Sequence, residues 1–154
     1  MEMPKPSEAH RRLEKMVGDW TGEEKIYPSP FDPQGGVAIA RVHNKLGLAG
    51  FAVIQDYEQE RNGVVNFSGH GIFRHDAFQN CYVMHWFDSM GMPPSEFKGT
   101  FDNDVMIATA KQAQGVSRAT LDFSKAGTYT FKMEVSPDGN QWFPFMEGKY
   151  AKQK

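Results

Sequence analysis

Residues 128–136 alternate strictly, with Tyr129, Phe131, Met133 and Val135 on one side and Thr128, Thr130, Lys132 and Glu134 on the other. A period of two is the mark of a strand with one face buried and one wet. The same rhythm recurs near 20–27, 37–48, 51–60, 64–73, 81–88, 95–101, 104–112, 116–123 and 142–151. Turn chemistry punctuates the runs. Asn62-Gly63 and Pro137-Asp138-Gly139 are hairpin signals, Asn103, Gly115 and Gly127 mark further tight turns, and Ala49-Gly50 reads as a short connection. Only the N-terminal segment departs from this rhythm. Ala9, Leu13, Met16 and Val17 share one helical face, Ser7 can cap it, Glu8 suits its first turn and Gly18 ends it. This spacing predicts a helix of about three turns.

A chain of about ten hairpin-linked strands must hide its sheet edges, and closure into a barrel does so. The expected fold is all-β: an antiparallel up-and-down β-barrel of about ten strands, with a short N-terminal helix closing one end. A two-sheet sandwich is the runner-up. Two connections are long, Pro28 to Gly36 and Ser89 to Pro94. In an up-and-down barrel successive connections alternate between the ends, so these two share one rim. The helix enters the first strand from the opposite end, which makes it a plug.

Composition narrows the function without choosing it. The chain has 154 residues with 40% hydrophobic and 23% charged, which suits one soluble domain over 1–154 with residues 1–6 extended or disordered. A net charge of −2 gives no polycation signal, so neither nucleic acid nor a membrane surface is an expected partner. The single cysteine, Cys81, rules out an internal disulfide framework and reads as a buried, inert thiol. The opening Met-Glu-Met-Pro-Lys-Pro has no apolar leader core, and the expected location is cytoplasmic.

The stretch 81–91, C-Y-V-M-H-W-F-D-S-M-G, combines an apolar strand with His85, Asp88 and Ser89 and runs into a Met-Gly-Met-Pro-Pro loop. Tyr82, Met84, Trp86 and Asp88 share one face; Cys81, Val83, His85 and Phe87 share the other. With the first face inward, Trp86 and Met84 line the lumen and Asp88 stands near the mouth. Asp88 is equally well suited to capping the turn at Ser89 to Gly91. His85 then points outward with Val83 and Phe87, an apolar stripe that suggests a homodimer contact. With the faces reversed, His85 becomes the best acid–base candidate.

Elsewhere Arg41 and His43 share a face with Val37 and Ile39, and Arg118 shares one with Thr120 and Asp122. An inward Arg would need a carboxylate, and could equally bind a ligand carboxylate. Glu24, on the face of Trp20 and Ile26, could be that partner. Solvated outward charges remain the simpler expectation. His70 sits between Gly69 and Gly71, which mark strand bending, and His75-Asp76 is a turn pair.

Several segments carry a family likeness. G-D-W-T-G at 18–22 after a short helix resembles the G-x-W opening of the calycins, in which the Trp packs across the plugged end of the barrel. With G-F at 50–51, Y-x-x-x-W-x-D-S-M-G at 82–91 and E-G-K-Y at 147–150, the chain resembles a bacterial lipocalin-like family catalogued as a domain of unknown function, number 1579. That resemblance implies a fold and no activity. A more distant similarity is to nitrobindin, a haem barrel whose iron-binding histidine lies late in the chain. Here Phe143 to Lys152 contains no histidine; all five, His10, His43, His70, His75 and His85, come earlier. No cofactor is therefore expected and haem is disfavoured, with Tyr150 or Met146 its remaining candidate ligands.

Zinc, Walker, dinucleotide and nucleophile-elbow motifs are all missing from the sequence, and no metal site is expected. The leading expectation is a barrel that binds a small apolar or amphipathic molecule. Its lining candidates are Trp86, Met84, Tyr82, Asp88, Tyr57, Phe131, Met133 and Arg118. A cavity enzyme using Asp88 or His85 for proton transfer or isomerisation is the alternative, and nitrobindin-like haem binding the second.

Overall fold

A computed structural model describes residues 1–154. Ten strands run in chain order: β1 Gly18–Ile26, β2 Gly36–Gly47, β3 Ala52–Arg61, β4 Val64–Asp76, β5 Cys81–Asp88, β6 Ser95–Asp102, β7 Val105–Gln112, β8 Gly115–Asp122, β9 Thr128–Ser136 and β10 Phe143–Lys152. Each pairs antiparallel with its neighbours, and β1 pairs with β10 to close the barrel. Closure removes both free edges, which is why this sheet does not stop as a sandwich. Strand boundaries fall within a residue or two of the sequence pattern, except that β4 runs on to Asp76.

The plug is less helical than its periodicity predicts. Glu8–Arg11 (α1) is a single α-turn, and Arg12–Met16 tightens to a 3-10 helix. A segment this short is held by tertiary contacts rather than by its own propensity. Leu13 and Met16 are fully buried. The carbonyl of Met16 accepts from the Trp20 indole N–H and from the Asn44 amide, both at 2.9 Å. The Tyr82 hydroxyl donates to the Ala9 carbonyl at 2.7 Å. Above the plug the lumen is packed with rings. Trp20 stands edge-on to Tyr129 at 4.9 Å, and Tyr129 stacks on Tyr150 at 4.4 Å and on Phe123 at 4.7 Å.

The other end of the barrel carries the long connections 27–35 and 89–94, as the strand order requires. A third, 137–142 between β9 and β10, joins them at the same rim. Arg61, at the end of β3, ties the first of these loops down by pairing with Asp32 and donating to the Gly35 carbonyl at 2.7 Å. The Arg61 hydrogen bond holds the Asp32 carboxyl below the usual carboxylate range. Phe31 and Met92 at this rim are 76% and 70% exposed.

The outward face of β5 is not the continuous apolar stripe the sequence suggests. Val83 is only 1% exposed, lying between its cross-strand neighbours Arg74 and Lys98, while His85 Nε2 accepts from Arg74 Nε at 2.9 Å. Phe87 alone of the three is exposed, so the argument for a homodimer across this face loses its patch. Cys81 is half-buried rather than buried.

Candidate functional site

Between the plug and the rim, inward side chains change character. Those toward the plug are buried; Tyr57, Trp86, Phe131, Met133 and Met146 are only partly so. The rim-facing half of the barrel is therefore the part of the lumen where inward side chains are less completely buried.

Glycines give Trp86 its position. Gly71 is the cross-strand partner of Trp86 and Gly69 that of Asp88, so β4 presents no side chain beneath the indole. A methyl group at Gly69 would overlap the ring, coming within 3.1 Å of Cε2 and nearer still to its outer carbons. The indole therefore lies flat along β4 with its N–H turned to the rim, where it donates to Asp88 Oδ2 at 2.9 Å. The other carboxylate oxygen of Asp88 accepts from the Met90 backbone N–H at 3.0 Å. Asp88 thus caps the turn and orients Trp86 at once. Tyr57 lies edge-on to Trp86 at 5.9 Å.

Beneath this aromatic shelf is a buried carboxylate. Glu24 is 0% exposed, and its cross-strand neighbours are Ala38 and Gly148, which leave space around its head group. Three donors fill that space. The Tyr57 hydroxyl donates to Oε1 at 2.6 Å, Gln59 Nε2 donates to the same oxygen at 2.9 Å, and the Tyr150 hydroxyl donates to Oε2. Gln59 Nε2 also lies 3.1 Å from the Tyr57 oxygen, which can accept from it only by committing its own proton to Glu24. Burial first, then the Glu24 charge, pushes the Tyr57 and Tyr150 phenols well above their ordinary range. Tyr129, stacked on Tyr150, is raised by the same two causes.

Most of the expected lining residues share this lumen. Trp86, Tyr57, Phe131 and Met133 lie in its less buried half, Met84 is buried below them, and Tyr82 reaches the plug. Arg118 does not face the lumen. It alternates with the buried Ala119 and Leu121, which forces it outward on β8. There it donates twice to Glu134, at 3.1 and 2.9 Å, and its guanidinium covers the Trp142 ring at 4.0 Å. His85 is likewise outside, and Asp88 has both oxygens engaged within the protein. The Glu24 cluster is what sequence reasoning underused. Its one signal was alternation from Trp20 through Gly22 to Glu24, which places an acid on a core-facing stripe.

The profile of a family described as "Protein of unknown function (DUF1579)" matches residues 5–152. The chain belongs to the DUF1579 family. No curated protein matches it significantly. Among solved structures, this DUF1579 barrel is similar to Rv2717c from M. tuberculosis, with a TM-score of 0.74 at 12% identity over 96% of this chain and 99% of that one. It is also similar to the S-type phycobiliprotein lyase CPES from Guillardia theta, with a TM-score of 0.61 at 8% identity over 97% of this chain and 99% of that one. At such identities the likeness is one of fold. The glycines under Trp86 and beside Glu24 are features of this chain's own sequence.

Proposed function

We propose that this DUF1579 barrel binds a small apolar or amphipathic molecule in the rim-facing half of its lumen. The observation that carries the reading is the gradient of exposure among inward side chains, from a sealed floor of rings to the partly exposed Trp86, Tyr57, Phe131, Met133 and Met146. A concave site lined by aromatic and thioether groups with a few fixed polar atoms is the usual character of a small-molecule pocket. Exposed Phe31 and Met92 at the rim give an apolar molecule a first contact on its way in.

Catalysis has less support. His85 lies outside the barrel against Arg74, and Asp88 is held by Trp86 and Met90, so neither is free to exchange a proton with a bound molecule. Haem binding finds little support in the residues that would hold iron. The Tyr150 phenol is bonded to Glu24 inside the core, and the Met146 sulfur lies 3.8 Å from Gln59 Nε2.

The test is a titration of the purified protein with a neutral fluorescent naphthalene probe. Removing the Trp86 indole strips roughly 60 Å² of contact, which at about 25 cal/mol per Å² is about 1.5 kcal/mol. Trp86→Ala should therefore weaken the probe about ten-fold. Asp88→Asn, which keeps an acceptor for the indole, should change affinity only mildly. A wild-type barrel that takes up no apolar probe sinks the proposal.

A further inference from the structure

We infer that the lumen selects a molecule with a cationic end, a protonated amine on an apolar body, and that Glu24 is the residue that reads the charge. This rests on the reading of the lumen as a binding site and specifies what enters it.

Charge is distributed unequally between the two faces of the barrel wall. Most strand cations, Lys25, Arg41, Arg74, Lys98, Arg118 and Lys132 among them, alternate with inward residues and so stand outside. Arg41 pairs with Glu58 and Glu60, and Arg118 with Glu134, on that outer surface. On the inward register cations stand only at the two ends, Arg61 paired with Asp32 at the rim and Lys152 over the Trp20 ring at the plug, and between them no lysine or arginine faces the lumen. Two carboxylates do: Glu24 at mid-depth and Asp88 near the mouth. A buried carboxylate usually has a cation beside it, because hydrogen bonds lessen the desolvation cost without cancelling the charge. Glu24 has only neutral donors, the two phenols and the Gln59 amide.

Tyr57 carries that charge to the less buried half of the lumen. Its proton is committed to Glu24 and its oxygen accepts from Gln59, which leaves one lone pair. A phenol that donates to a carboxylate becomes a stronger acceptor, since hydrogen bonds in a chain polarise one another. An ammonium group beside Tyr57 would meet this lone pair, the field of Glu24 and the π-face of Trp86, 5.9 Å from the Tyr57 ring. A carboxylate ligand would meet the same field with the opposite sign. A neutral alcohol would gain the hydrogen bond alone. Phe131 and Met133 would cover the apolar body.

The experiment compares naphthylmethylamine, naphthylmethanol and naphthoate, which share one apolar body, by calorimetric titration of the wild-type protein near neutral pH. The amine should bind about ten-fold tighter than the alcohol, with the acid weakest, and the advantage should survive high salt because the charge is buried. In Glu24→Gln the amine and the alcohol should converge to within about two-fold. Equal wild-type affinity for amine and alcohol overturns the inference while leaving lumen binding intact. An amine advantage that disappears in high salt also overturns it, since it would then belong to the outer surface. If none of the three binds, the binding proposal and this inference fall together. The wild-type series decides whether the lumen prefers a cation, and Glu24→Gln decides whether Glu24 reads it, an undiminished amine advantage in that variant overturning the assignment. Should Glu24→Gln not fold, Tyr57→Phe takes its place, with loss of most of the amine advantage expected and its full retention counting against the inference.

Discussion

Gly148→Ala tests whether the packing around Glu24 is as specific as its geometry indicates. Gly148 lies opposite Glu24 on β10, two residues before Tyr150, and the Tyr150 ring folds back along the strand over it. The backbone at Gly148 is not among the positive-φ positions, so alanine meets no conformational penalty and would ordinarily help a strand. Space forbids it. The added methyl would lie 2.5 Å from Cζ and 2.8 Å from Cε2 of Tyr150, and closer still to its hydroxyl. The ring has nowhere to move, because it is stacked on Tyr129 at 4.4 Å and 20° between planes. Relief requires the phenol to leave Glu24.

Losing a hydrogen bond to a buried charged acceptor costs about 1.5–3 kcal/mol. Overpacking adds about 1–3 kcal/mol. The expected loss is about 3–5 kcal/mol, a large share of an ordinary domain's stability. In equilibrium urea unfolding this lowers the midpoint by about 2 M at a slope of about 2 kcal/mol per M. Tyr150→Phe alone should cost about 1.5–3 kcal/mol. In the double variant the hydrogen bond is lost only once, so the combined loss should fall short of the sum by about that amount. A Gly148→Ala protein within about 0.5 kcal/mol of wild type, or a cycle additive to that precision, refutes the reasoning.

Three further outcomes follow from the same geometry. Trp20→Ala removes the ring that joins the plug to Tyr129 and leaves the Met16 carbonyl short of a donor, and should cost about 3–5 kcal/mol by denaturant unfolding. The phenols of Tyr57, Tyr129 and Tyr150 are raised in the folded protein by burial and Glu24, so the unfolded chain loses these protons first. Their contribution is therefore intact below a phenol's ordinary pKa of about 10 and declines as pH rises above it. An ultraviolet titration should show these tyrosines ionising together with unfolding, and free ionisation in the folded barrel would contradict their burial. Arg118→Ala, on the outer wall, should leave naphthalene-probe affinity within about two-fold of wild type, and a larger loss measured by the same titration would place Arg118 in the lumen after all.

The barrel, its plugged end and its strand limits were legible from residue order because each rests on local information. Alternation such as Tyr129 to Val135 sets which side of a strand is buried, turn residues such as Asn62-Gly63 set where it reverses, and a long run of hairpins has few ways to hide its edges. The same alternation put Tyr57, Met84, Trp86, Phe131 and Met133 on inward faces. The sequence could not decide contacts between residues far apart in the chain. Arg118 reads as an inward candidate until the buried Ala119 and Leu121 fix the polarity of β8. Val83 reads as exposed until Arg74 and Lys98 are seen on either side of it. The plug reads as three α-turns until Met16 is seen held by Trp20 and Asn44, contacts that a 3-10 turn satisfies. Above all, Glu24 lies 33 residues from Tyr57 and 126 from Tyr150. Closure of β1 onto β10 brings Tyr150 to the acid and the pairing of β1, β2 and β3 brings Tyr57, since hydrogen bonds and charges act through space, whereas periodicity registers only neighbours along the chain.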